Sequence, residues 1–156
     1  MISYIQTNSE NTDFKNLVKE LDAELRIRDG DDHLFYAQLN KTDDIKHVIV
    51  AYEENEPIGC GAIRAYSEDT MEVKRMFVSV TKRGQGIASS ILAALESWCR
   101  ELHFKKCILE TGIHQPEALR LYEKNGYKRI PNFGKYAGVK NSVCFEKELT
   151  APDEPD

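Results

Sequence analysis

The sequence predicts a mixed α+β fold: a twisted, mostly antiparallel sheet of six or seven strands, about four helices and one parallel βαβ unit. Three observations carry this expectation. Short apolar runs of strand character recur at 2–6, 46–52, 57–65, 70–80, 106–109, 127–130 and 142–149. The runs at 46–52 and 57–65 are separated only by Glu53-Glu54-Asn55-Glu56, a polar turn that reads as a hairpin. The run at 70–80 is followed by a helical apolar stripe and then by the strand at 106–109, a spacing that demands a crossover between parallel neighbours.

The elements follow in order. After the first strand, Asn11 or Thr12 offers a helix N-cap. Phe14, Leu17, Val18, Leu21 and Leu25 then repeat at helical spacing, supported by Asp22–Arg26 and Glu24–Arg28 pairs. The turn Asp29-Gly30-Asp31-Asp32 ends that helix, and residues 33–39 suit a second, short one. Gly59 and Gly61 within the hairpin mark a bulge or a close backbone approach. Ile87, Ile91, Leu95, Trp98 and Leu102 form one apolar helix face, with Glu96 and Arg100 paired on another. Pro116 opens a helix that Asn125-Gly126 closes. The last strand, 142–149, alternates apolar and charged residues.

The chain has 156 residues, enough for one domain, expected over 1–149. With 41% hydrophobic and 30% charged residues it is not a disordered polymer, although the Pro/Asp/Glu tail 150–156 is expected to be disordered. A net charge of −5 gives no global attraction to nucleic acid or to anionic lipid. Cys60, Cys99, Cys107 and Cys144 form no C-x-x-C, and His33, His47, His103 and His114 have no metal-ligand spacing, so no metal is expected. No signal-peptide pattern and no apolar run near the ~18 residues of a membrane helix is present. The expectation is a cytoplasmic protein, monomer or homodimer, with its cysteines reduced and used as small core residues.

The most informative segment is Arg83-Gly84-Gln85-Gly86-Ile87-Ala88, between a strand and a helix N-terminus. The first amides of a helix have no internal partners, and the helix dipole adds partial positive charge there. Glycines let a bulky anion approach, and Lys82 and Arg83 add formal charge. The combination suits a phosphate or diphosphate; a tight turn needing glycine for geometry alone is the plainer alternative. The second Gly-Lys-Ser/Thr of a P-loop is missing. A dinucleotide fingerprint would read Gly84-Gln85-Gly86-Ile87-Ala88-Ser89, with Ser in the third glycine's place, and only one βαβ unit is evident.

Arg83-x-x-Gly86-x-Ala88 resembles the R/Q-x-x-G-x-G/A signature of the GNAT superfamily of N-acetyltransferases. The resemblance extends upstream to the strand ending Met76-Phe77-Val78. Downstream, Ala118-Leu119-Arg120-Leu121-Tyr122-Glu123-Lys124-Asn125-Gly126-Tyr127 is similar to the family's A-x-x-L-Y-E-x-x-G-F/Y helix. It covers roughly residues 2–149. One departure is Gln115, where many members carry Asn.

What the resemblance implies is acetyl transfer from acetyl-CoA to a primary amine by direct attack in a ternary complex. The diphosphate would lie on the amides of Arg83, Gly84, Gln85, Gly86, Ile87, Ala88 and Ser89. The pantetheine arm would run along Met76, Phe77 and Val78, with Gln115 as a further contact. A backbone N–H of that strand would hold the thioester carbonyl. Tyr122 would be the acid for the departing thiolate, since a phenol stays protonated at neutral pH. Glu72, on the face opposite Met71 and Val73, is the candidate base, with Glu110 a second. Thr111 and Gly112 would line the site. Glu24, Arg28, His33, Tyr36 and the segment 132–136 are candidates for acceptor recognition. The acceptor would be an amino acid, a polyamine or an amine antibiotic. A protein amino group, a non-catalytic CoA-binding module and a dinucleotide-dependent oxidoreductase are the alternatives.

Overall fold

A computed structural model of the protein describes residues 1–29 and 45–150. Its seven strands form one sheet: β1 (Ile2–Thr7), β2 (His47–Glu53), β3 (Glu56–Ala65), β4 (Thr70–Val78), β5 (Lys106–Gly112), β6 (Lys128–Ile130) and β7 (Ser142–Glu148). Their order is β1-β2-β3-β4-β5-β7-β6, and only β4 and β5 run parallel. Among the described residues there are three α-helices, α1 (Thr12–Asp29), α2 (Ile87–Glu101) and α3 (Pro116–Lys124). The helix expected at 33–39 and the tail from residue 151 lie outside the described residues.

Strand β2 explains the three layers. Val48 and Val50 pack on one face with Phe14, Leu17, Val18 and Leu21 of α1. Ile49 and Ala51 pack on the other with Ile87, Ile91, Leu92 and Leu95 of α2. A strand apolar on both sides needs cover on both, and burying each large aliphatic side chain contributes about 1.5–3 kcal/mol. Helix α2 lies close against β3: a Cβ on Gly61 would come within 2.6 Å of Met76 Sδ and 2.9 Å of Leu95 Cδ1.

Local signals set the ends of elements. Asn11 caps α1, its Oδ1 accepting the Phe14 N–H at 2.9 Å. Glu54 and Asn55 both have positive φ (49° and 71°), the signature of a type I′ hairpin turn. Strand β4 ends at Val78 rather than Val80, because Val80–Lys82 winds into a 3₁₀ turn. Leu102, expected on the apolar face of α2, is 36% exposed because it sits at the helix C-cap, before the left-handed His103 (φ 66°).

Two expected ion pairs are replaced by longer-range contacts. Glu96 does not pair with Arg100. It is buried, accepting hydrogen bonds from Tyr127 Oη and Lys147 Nζ, each at 2.9 Å. Asp22 turns from Arg26 to Arg75 of β4, while Glu24 and Arg28 do pair along α1 at 3.4 Å. Tertiary partners that satisfy a buried group outweigh exposed i,i+4 pairs worth a few tenths of a kcal/mol.

Strand β4 carries a bulge. Cys60 pairs with Phe77 and Ala62 with Lys74, so two steps along β3 match three along β4. Arg75, at φ 58°, belongs to this extra step. Val73 and Met76 pack in the α2-side cluster, and Phe77 packs on the α1 side. Lys74 reaches Glu72 and Arg75 reaches Asp22 of α1, so two successive cations share the α1 side.

Candidate active site

The parallel ladder between β4 and β5 runs from Thr70–Lys106 to Val73–Leu109. Beyond it β4 continues to Val78 and β5 to Gly112 with no further pairing between them. Two cavities flank this opening. One is a cleft of about 560 Å³ between the α2 N-terminus, α3 and the end of α1. The other, about 90 Å³, lies on the α1 side.

The glycine turn forms one end of the cleft. Gly84 and Gly86 both have φ 80°, a left-handed conformation that side chains resist, and a Cβ at either would meet nothing within 4 Å. The first hydrogen bond of α2 joins the Ser90 N–H to the Gly86 carbonyl at 3.1 Å, leaving the amides of 84–89 without carbonyl partners among the described residues, whereas the Arg83 N–H, expected to join them, donates to the Val80 carbonyl at 3.5 Å. Gly84, Gly86, Ile87, Ala88 and Ser89 line the cleft, as do Met76, Phe77 and Val78. Gln85 is exposed and does not line it.

The two basic residues of the turn have partners. Arg83 Nε donates to the Val78 carbonyl at 2.8 Å, its guanidinium meets Glu24 at 2.7 Å, and it lies 5.5 Å from the Phe77 ring centroid. Lys82 Nζ donates to Glu53 at 2.6 Å. Arg83 therefore fastens the turn to β4 and α1, and the positive end of the cleft rests chiefly on backbone amides. Glu24 and Arg28 border this cleft rather than the smaller cavity. Arg28 donates to Glu117 of α3 at 2.8 Å, joining α1 to α3.

The smaller cavity holds Glu72 and Glu110, with Lys74, Arg75, Thr111 and Tyr136. Ser142 Oγ donates to Glu110 at 2.6 Å. Glu72 has Lys74 Nζ and Tyr136 Oη at 3.5 Å each. The Tyr136 ring is held by Phe133, centroids 5.5 Å apart, and Phe133 in turn by Tyr66 at 5.3 Å. Burial, with the carboxylates of Glu72 and Glu110, pushes the Tyr136 phenol well above its ordinary pKa. His33 and Tyr36 lie outside the described residues.

Tyr122, Met76 and Gln115 line both cavities. Tyr122 is 6% exposed; burial first, and the Glu110 carboxylate second, raise its phenol well above 10. Its proton is thus firmly held at neutral pH. Gln115 is the N-cap of α3, its carbonyl accepting from the Ala118 and Leu119 amides at 3.1 Å.

Sequence reasoning passed over Lys74 and Arg75. Lys74 was legible from period-two alternation with Glu72. Arg75 was not, because a non-glycine residue at positive φ leaves no compositional trace.

Comparison with known proteins shows the family and the fold. The model of the acetyltransferase (GNAT) family matches residues 12–127. An IAA acetyltransferase from Azospirillum brasilense is 36% identical over 140 residues, covering 85% of this chain and 88% of the relative. A Klebsiella pneumoniae structure described as an acyl-CoA N-acyltransferase superposes with TM-score 0.81 at 29% identity, over 96% of this chain and 99% of the other. A GNAT family acetyltransferase from Elizabethkingia anophelis, solved with acetyl-CoA bound, shares the fold at TM-score 0.69 and 19% identity, over 95% and 98% of the two chains. A matched family model spanning most of the chain, with relatives aligned nearly end to end, identifies the chain as a member of the GNAT family of acetyltransferases.

Proposed function

We propose that the protein transfers the acetyl group of acetyl-CoA to the primary amine of a small molecule, both bound at once. The carrying observation is that Tyr122 lines both cavities, one ending in open helix amides and the other holding two carboxylates. The cleft suits a long, thin molecule with a diphosphate: amides converge at Gly84–Ser89, and β4 is unpaired on its β5 side beyond Val73. When bound, the thioester supplies the acetyl carbon and a thiolate leaving group.

The chain's own residues handle the protons. An alkylammonium has a pKa of about 10 and must lose a proton before it attacks. Glu72 takes a proton from the amine, directly or through one water. Tyr122 gives one to the departing sulfur and is reprotonated through solvent by the proton that Glu72 took, and the second ammonium proton leaves to solvent. Gln115 and the backbone of Met76, at the junction, orient the reacting end. Glu110, hydrogen-bonded by Ser142, keeps the acceptor side negative.

The small volume of the acceptor cavity, a few water molecules' worth, favours a small acceptor over a folded protein surface. The Azospirillum brasilense relative is named an IAA acetyltransferase, in keeping with that reading. The test is thiol release from acetyl-CoA in the presence of an amine panel, with thermal stabilisation by acetyl-CoA measured beside it. Amine-dependent release is expected. The absence of both release and stabilisation would remove the proposal.

A further inference from the structure

A side-chain bridge joins the end of α3 to the start of α2. Asn125 Nδ2 donates to the Leu121 carbonyl at 2.8 Å and to Ser89 Oγ at 3.1 Å. A carbonyl oxygen only accepts, so the contact with Leu121 fixes which end of the amide faces Ser89. The backbone does not require asparagine here: Asn125 has φ −94°, and the left-handed residue of the C-cap is Gly126, at φ 89°. What the asparagine side chain adds is the contact between the two helices.

That contact decides how Ser89 bonds. Its oxygen accepts from Asn125, so its own hydrogen turns away from that amide. Among the described residues the Ser89 hydroxyl donates to no acceptor. Ser89 is half-buried and lines the larger cleft beside the open amides of α2. An O–H donor there joins a cluster of N–H donors, and all of them suit one anion.

We propose that Asn125 is a positioning residue for the donor: by donating to Ser89 Oγ, it leaves the Ser89 hydroxyl to donate to the diphosphate of acetyl-CoA. This rests on the acetyl-transfer reading above. Asn125 does not itself line the cleft, so its effect passes through Ser89. Without the asparagine the hydroxyl is free to turn back to a carbonyl of the preceding turn, as helical serines do, and is then lost to the ligand. The cap that ends the Tyr122 helix is in this way tied to the anion end of the cleft.

The experiment is a double-mutant cycle on the full chain, with the Kd of acetyl-CoA read by calorimetry. Ser89→Ala is expected to raise Kd about tenfold, the scale of one hydrogen bond to a charged group. Asn125→Ala should raise it by several-fold. In the double variant Kd should match that of Ser89→Ala alone, because the asparagine has nothing left to orient. A bridge that served architecture only would not give this pattern; its effect on Kd would multiply with that of Ser89→Ala. Circular dichroism establishes folding, and Asn125→Leu, which fills the same volume without a donor, repeats the cycle beside Asn125→Ala. Wild-type affinity in Ser89→Ala, wild-type affinity in both folded Asn125 variants, or multiplying effects would each overturn the proposal while acetyl transfer stands. A wild-type chain that does not bind acetyl-CoA removes the transfer reading and this inference together.

Discussion

The Tyr127 N–H donates to the Tyr122 carbonyl at 3.0 Å, and the two rings meet edge to face with centroids 5.7 Å apart. Gly126, at φ 89°, makes the companion bond to the Glu123 carbonyl at 3.2 Å. Together these are a Schellman motif with its side-chain contact, closing α3. The motif that ends the helix also fixes the ring of the tyrosine facing both cavities. Tyr127 is anchored in turn by Glu96 of α2. The position of Tyr122 is therefore set by a chain of contacts from α2 through Tyr127, independent of any ligand.

Tyr122→Phe should separate chemistry from binding. The ring contacts with Tyr127 and Phe145 persist, and only the hydroxyl is lost. A general acid contributes about 10²–10⁴-fold, so kcat should fall by about two orders of magnitude while acetyl-CoA affinity is unchanged. Steady-state kinetics with an active amine decide it. Wild-type kcat in the variant would remove Tyr122 from the proton path.

Glu96→Leu should destabilise the fold. The carboxylate is buried and accepts from both Tyr127 Oη and Lys147 Nζ. Removing it strands a phenol and an ammonium, at a cost of about 3 kcal/mol. Urea denaturation should show this loss. Glu96→Gln, which keeps an acceptor, should lose less.

The contrast between these residues explains what could be read in advance. Asn125, Gly126 and the glycine turn were legible because local rules specify them: a helix C-cap, a positive φ, an open N-terminus; Tyr122 stood out only through its resemblance to the family's helix. The succession of strands along the chain, the hairpin and the single parallel pair followed from apolar periodicity and connection length. Glu96 was misread as a partner of Arg100, because sequence spacing sees i,i+4 neighbours and not a tyrosine arriving from the connection between α3 and β6. Arg83 was read as a charge for an anion, yet Glu24 from α1 matches it. The bulge at Arg75, with the cation pair it creates, depends on the register between β3 and β4, which no local pattern records.

Gly86→Ala should weaken acetyl-CoA binding more than it weakens the fold. A left-handed alanine costs about 1–2 kcal/mol, and the added Cβ meets no protein atom within 4 Å. The methyl group would instead occupy the approach to the α2 amides. A rise of about tenfold in the acetyl-CoA Kd is expected by calorimetry. Wild-type affinity in this variant would place the diphosphate elsewhere.

The protein's own thiols should be silent in a thiol-release assay. All four cysteines are buried and free. Burial pushes the Cys60 thiol up to about 12 and that of Cys144 up to about 11. Cys99 is raised by its contact with Cys107, sulfurs 3.6 Å apart, and by burial. Thiolate is the reactive form, so a disulfide reagent at pH 8 should titrate four groups only after denaturation. Any cysteine reacting within minutes in the native protein would contradict this burial.

The Arg28–Glu117 pair between α1 and α3 should give stability a specific pH dependence. Hydrogen bonding to the Arg28 guanidinium holds the Glu117 carboxyl down to about 2, against an ordinary 4.5. A depressed folded-state value means the unfolded chain takes up the proton first as pH falls. The contribution is therefore whole above about 4.5, declines below it, and is gone once pH passes below about 2. Glu117 is 59% exposed, so solvent screening limits the pair to no more than about 1 kcal/mol. Wild type and Glu117→Gln should thus differ slightly but measurably in urea midpoint at pH 7 and low salt. The difference should shrink between pH 4.5 and 2, and at neutral pH it should shrink with added salt. A difference that grows on acidification would mean that Glu117 acts through something other than its bond to Arg28.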